Sequence, residues 1–296
     1  MRRVLFLLGV VGLAACGTEP SPPPPPFAGK IVFQSDRATL DGSPLLYSMN
    51  PDGSEIRQVP ISLPSALGQA DISPDGERIV LSQGFALYTS RGDGTELRLV
   101  VPAGKGASKP AWSPDGQRLA FAAQQAGIYD IWVSDQLGNG QTDLTQTPDY
   151  AEGAPAWAPD GMRLIYSRGL PDGSIPFELW TMKADGTDPR RLIGDPHNDA
   201  ANPAFSPDGT WIAYVSGPGI FNDLRVARAD GTEDHSIFKL DDGTALDDPA
   251  WSPDGQEIVF SLSLNIATIH VDGTGLQVLT DSAINFDPDW GPAPPP

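Results

Sequence analysis

The side chains in this sequence that could do chemistry are mostly oxygen donors, and the most suggestive of them share one recurring position. Asn202, Asp248 and Asp287 each stand directly before a Pro-x-aromatic segment, and Gln69, Lys109 and Ala154 hold the same place in other copies. Amide and carboxylate oxygens can ligate a hard cation such as calcium, which would polarise a substrate or activate water. Tyr150, Glu152, His197 and Asp247 lie in neighbouring stretches, so the region reads as acidic, with Lys105 and Lys109 as its basic exceptions. An acidic mouth steers in a basic protein segment, a cationic ligand or a divalent ion. A solvated acidic rim is the plainest reading, a docking surface comes next, and a metal or catalytic site comes third.

Other chemistry finds less support. Asp135 to Gly140 has the opening of an EF-hand loop, but the twelfth position is Gln146 rather than Glu. Gly104-Lys105-Gly106 lacks the spacing of a phosphate loop, and no Gly-x-Ser-x-Gly elbow occurs. His197, His235 and His270 are far apart, without a paired zinc-ligand pattern. With 38 Asp and Glu against 19 Lys and Arg, the chain carries a net charge of −19. Nucleic acid and anionic membrane surfaces are poor partners for it, since both need a basic footprint.

The one cysteine has its own chemistry. Arg2-Arg3, an apolar run and Leu13-Ala14-Ala15-Cys16 have the layout of a secretory signal ending in a lipobox. Cleavage after residue 15 would leave Cys16 as an N-terminus carrying lipid on its sulfur and amine, and several acyl chains would anchor it stably. Gly17 is not the Asp that retains such proteins at an inner membrane, which favours an outer membrane. Residues 16–26 then form a Pro-rich, polyproline II stalk.

The elements that position these residues come from a repeat. Pro110-Ala111-Trp112-Ser113-Pro114-Asp115-Gly116 returns with variations at residues 70–76, 155–161, 203–209 and 249–255, and as a fragment, Pro288-Asp289-Trp290-Gly291. Such a period means stacked supersecondary units. In the clearest unit the pattern predicts strand a over residues 110–112, b over 118–122, c over 129–134 and d over 141–145. Ser-Pro-Asp-Gly makes a tight a–b turn: Pro presets φ, Asp bonds the backbone two residues on, and Gly takes the left-handed position. Asp-Gly and Asn-Gly pairs, among them Asn139-Gly140, mark six c–d hairpins. Six strand b cores agree with six units, yet nothing like strand a precedes Ile31-Val32-Phe33. The orphan at residues 288–290 supplies it, hiding both open edges of the array. The fold expected is an all-β, six-bladed β-propeller of four-stranded antiparallel blades, closed by the C-terminal strand.

These units resemble the repeats of TolB-like propellers, in which a Trp-Ser-Pro-Asp-Gly turn leads into an Ile-Ala-Phe-type strand. The likeness covers roughly residues 29–291. It implies a cell-envelope protein, monomeric as a ring, that docks a protein or peptide partner on one face. The stalk stands where TolB itself carries an α/β domain. The organisation expected is a signal at 1–15, lipidated Cys16 and linker to 26, the propeller at 27–291 and a Pro-rich tail at 292–296.

Antiparallel connectivity then sorts the loops. The a–b and c–d turns fall on one face and repeat closely, whereas the b–c and d–a loops on the other face vary, and variable loops on a rigid scaffold are where binding resides. The expected partner face comprises Gln69, Lys109, Tyr150, Glu152, His197, Asn202, Asp247, Asp248 and Asp287. Trp112, Trp157, Trp251 and Trp290 share one repeat position and read as blade-to-blade core, while Tyr150 and Phe221 read as surface recognition residues. The competing expectation is a divalent-cation-dependent hydrolase or lyase built on Asn202, Asp248 and Asp287.

Overall fold

A computed structural model describes residues 25–39, 42–63, 67–125 and 127–294. Cys16, the signal and most of the stalk lie outside them. Within the described residues the strands form six four-stranded sheets. The inner strand of each is Leu67–Ile72, Ser108–Trp112, Ala151–Trp157, Asp199–Phe205, Leu246–Trp251 and Asn285–Trp290. Each inner strand touches the next around a closed ring. The blades are numbered 1 to 6 from Ile31–Ser35, so that these inner strands belong to blades 2, 3, 4, 5, 6 and 1.

Blade 1 is completed as the orphan fragment predicts. Asn285–Trp290 pairs antiparallel with Ile31–Ser35, setting Ile31 against Trp290 and Ser35 against Asn285. Gly291 N–H donates to the Lys30 carbonyl at 2.8 Å and Gly29 N–H to the Pro292 carbonyl at 2.7 Å, which extends the clasp beyond the strands.

The turns show why the repeat is written as it is. In blade 3 the Ser113 hydroxyl donates to Asp115 Oδ1 at 2.5 Å and accepts from Arg118 N–H at 2.8 Å, while Gln117 N–H donates to the same carboxylate oxygen at 3.0 Å. Gly116 sits at φ 66°. At the c–d turns a glycine N–H closes back on the carbonyl three residues earlier, as Gly94 does on Arg91 and Gly231 on Arg228. In blade 3 this glycine is Gly138, bonding Asp135, rather than Gly140 of the Asn-Gly pair. The position demands glycine because it packs on the preceding blade: a β-carbon at Gly231 would stand 2.7 Å from the Leu192 carbonyl oxygen, and one at Gly138 would overlap that of Val100.

Packing between blades uses the repeated aromatics. Trp112 lies in one cluster with Val80 and Leu87 of blade 2 and Leu119 and Phe121 of blade 3; Trp251 joins blades 5 and 6 and Trp157 joins blades 3 and 4. Phe221, read from sequence as a surface residue, instead packs against the core between blades 5 and 6.

Candidate functional site

The recurring pre-proline residues lie inside the inner strands, at a β-bulge. The register with strand b slips between Ser108 and Ala111, Gly153 and Ala156, Ala201 and Ala204, and Asp247 and Ala250. Lys109, Ala154, Asn202, Asp248 and Asp287 hold φ between 45° and 50°, a left-handed conformation costly to residues with a β-carbon. Serines of the preceding blade steady two of them: Asn202 N–H donates to Ser167 Oγ at 3.3 Å and Asp287 N–H to Ser261 Oγ at 3.2 Å. With Gln69, these residues line a channel on the ring axis of about 150 Å³.

The central charges of the channel pair with each other. Lys109 of blade 3 reaches across to Asp248 of blade 6, the blade opposite, with Nζ 2.6 Å from Oδ1. Burial works against the lysine's charge, but Asp248, Asp287 and Asp247 outweigh it and raise its pKa above the ordinary value. Burial likewise opposes ionisation of Asp248, yet Lys109 and a hydrogen bond from Asp287 hold its carboxyl below the usual range. Asp287 is pushed well above that range by burial and by Asp248, and keeps its proton for that bond. Its Oδ2 accepts from Gln34 Nε2 at 2.7 Å. Asp247 rises to about 6 through burial and the adjacent Asp248, while accepting the amide of Asn202.

A second acid pair stands in the same channel, at the residue after the proline position. Four units carry alanine there (Ala111, Ala156, Ala204 and Ala250), but blades 2 and 1 carry Asp71 and Asp289. Asp71 Oδ2 accepts from Trp112 N–H at 2.6 Å, and Asp289 Oδ2 from Ile72 N–H at 2.8 Å, so each ties its blade to the next. Burial and the neighbouring Asp289 hold Asp71 well above the carboxylate range, and burial lifts Asp289 to about 6. Sequence reasoning missed this pair, although Asp standing where other units have Ala was visible in the repeat.

Tyr150 and Glu152 form a separate cluster at the base of blade 4. The Arg168 guanidinium lies 3.9 Å from the Tyr150 ring centroid and 4.4 Å from that of Trp180, with Nε 3.5 Å from Glu152 Oε1. Thr147 donates to Glu152 at 2.5 Å, yet burial raises the carboxyl to about 7. His197 stands apart on an exposed loop beside Asp195. The nine expected face residues thus divide into a channel group (Gln69, Lys109, Asn202, Asp247, Asp248, Asp287), an arginine clamp (Tyr150, Glu152) and a lone loop residue.

The channel does not fit the divalent ion that Asn202, Asp248 and Asp287 suggest. Asp248 already binds an ammonium and Asp287 spends an oxygen on its proton, which leaves the Asn202 amide oxygen, whose NH₂ donates to Asp247, without the carboxylates a divalent ion would need beside it. Among the described residues no group of three or more His, Cys, Asp or Glu is placed to hold a metal.

Several known proteins share this architecture. Residues 82–294 match the family model described as the TolB beta propeller domain. An uncharacterized protein of Agrobacterium fabrum is 29% identical over 213 residues, spanning 64% of this chain and 67% of that protein. The structure of TolB from Acinetobacter baumannii is similar with a TM-score of 0.73 at 20% identity, over 90% of this chain and 67% of that one. An oligogalacturonate lyase solved in complex with manganese is more distant, with a TM-score of 0.59 at 16% identity over 84% and 73% of the two chains. The six closed blades, their turn chemistry and a family match over most of the sequence lead to one conclusion: this chain belongs to the TolB β-propeller family.

Proposed function

We propose that this protein is a lipid-anchored scaffold of the cell envelope that docks a protein or peptide partner of basic character on its variable-loop face. The observation that carries the reading is where the chain enters the ring. Phe27 is buried and its N–H donates to the Gly76 carbonyl of an a–b turn at 3.1 Å. Pro25 packs at Gly76 and Pro26 at Gly92, a residue of the c–d turn of the same blade. Residues 25–27 thus meet the ring at its tight-turn face, and an anchor at Cys16 would turn that face toward the membrane. The variable loops would then point away from the lipid, where a partner can reach them. The net charge of −19 favours a basic partner.

The test uses photo-crosslinking residues introduced singly at His197 and Tyr150 on the variable face, and at Asp93 and Asp185 on the turn face, in cells expressing the full chain. One reproducible partner captured from the first pair and not the second is the expected result. Equal capture from both faces, or capture from the turn face alone, overturns the reading. Labelling with a fatty-acid analogue should be lost in Cys16→Ser; retained label refutes the anchor.

A further inference from the structure

The channel has its own ammonium in Lys109, which already pairs with Asp248; a second polar cavity keeps acceptors without a partner. Between the last strand of blade 4, Arg190–Ile193, and blade 5 lies a pocket of about 250 Å³ whose lining includes Asp195, Asn198, Ser216, Asn222, Asp223 and Lys239. It opens at the variable-loop end of the blade, since it gathers the end of strand b (Trp211–Gly217), the start of c (Asp223–Arg228) and the end of d (His235–Lys239).

Two side chains that line this pocket each carry a buried acceptor with no donor. Asp223 is 8% exposed; its Oδ2 accepts from Arg225 at 3.0 Å, while Oδ1 is buried without a hydrogen-bond partner. Asn222 Oδ1 is likewise buried and unpartnered. The amide cannot flip to hide the deficit, because its Nδ2 donates to the Leu240 carbonyl at 2.7 Å. Its backbone is held as well: Asn222 N–H donates to the Ser216 carbonyl at 3.0 Å and its carbonyl accepts from Leu240 N–H at 2.9 Å. Gly217 makes this fold-back possible, since a β-carbon there would overlap the Ile220 carbonyl and crowd Asn222 Oδ1 at 2.9 Å. Buried acceptors left unpaired are rare and costly, so two on consecutive residues lining one cavity ask for a donor.

Charge selects the donor. Arg225 is shared between Asp223 and Asp234, which leaves that trio net negative, and Asp195 and Lys239 offset each other at the rim. The pocket is thus one positive charge short of neutral. We propose that it receives the ammonium group of a lysine side chain from the docked partner, with Asp223 Oδ1 and Asn222 Oδ1 accepting its protons. This rests on the docking reading above and names the group that the variable face recognises.

Nα-acetyl-lysine methylamide is titrated into the isotopically labelled full chain, with the norleucine analogue as the uncharged control, and the Asn222 side-chain amide is followed by NMR. The lysine compound should shift that resonance and the norleucine compound should not. Asp223→Asn should weaken binding about ten-fold, because Arg225 will draw the amide oxygen and leave an NH₂ facing the ligand. Lys239→Met should strengthen it several-fold by removing a like charge, an effect that a merely structural role for the pocket would not produce. Equal shifts with norleucine, no shift at Asn222, or unchanged binding in Asp223→Asn overturns the proposal. If Asp223→Asn loses lysine binding while crosslinking from His197 persists undiminished, the docked partner does not supply the lysine and the proposal is overturned with docking intact; crosslinking without any lysine binding likewise leaves docking intact and sinks the pocket.

Discussion

Lys109 and Asp248 show how one ion pair can matter more to a ring than to a surface. They join opposite blades and stand 139 residues apart, so the bond acts as a spoke rather than a local contact. Removing one partner leaves a largely buried charge alone, and Lys109→Met should cost about 3 kcal/mol in urea unfolding. The double variant Lys109→Met/Asp248→Asn should recover most of that loss. A second prediction concerns pH. Asp71, Asp247, Asp287, Asp289 and Glu152 all have folded-state pKa values above their ordinary ones, chiefly through burial. Between their unfolded and folded values the folded chain holds protons that the unfolded chain has released. Stability should therefore rise as pH falls from about 7 to about 4, and decline again on the way back up. Turn carboxylates such as Asp115, held low by Ser113, add the opposite slope only below that window. Melting temperature across this range measures it. Asp71→Asn, which keeps an acceptor for Trp112, should flatten the curve and melt higher at pH above 7.

At the level of the element, the bulge in each inner strand is what turns a repeat into a site. A residue in the left-handed region next to proline is strained, yet it presents a side chain to the axis from a strand that is otherwise core. Ala154 bears that strain at φ 48° with no side-chain hydrogen bond to show for it. Ala154→Gly should stabilise the protein by about 1 kcal/mol in chemical denaturation. The c–d glycines work in the opposite sense. Gly138 combines φ 83° with close approach to the Val100 carbonyl, so Gly138→Ala should cost more than about 2 kcal/mol, whereas the same change at Gly127, with open space around it, should cost less. Sequence pattern placed the blade 3 turn at Asn139-Gly140 because that pair has the stronger local turn signal. The preceding blade's carbonyl decided for Gly138 instead.

For the whole molecule, closure is the decisive feature. A chain ending at Asn285 would lose most of the strand that pairs with Ile31–Ser35 and expose an apolar edge. It should melt at least about 10 °C lower than the full chain, or aggregate, as scanning calorimetry or light scattering would show. The number of blades, their strand order, every c–d turn but that of blade 3, and the clasp were legible in the sequence, because each rests on residues a few positions apart or on a repeat that can be counted. The Trp-Ser-Pro-Asp-Gly run marks its own turn whatever surrounds it. The chemistry of the channel and the pocket was legible only in part. That Lys109 faces acids was visible from its repeat position; that it pairs with Asp248 across the axis, and so takes that carboxylate away from a metal, was not. Nor could any local pattern reveal that Asp223 and Asn222 each keep one oxygen unpaired. Those facts depend on which atoms the closed ring brings within hydrogen-bonding distance, and only the tertiary structure sets that distance.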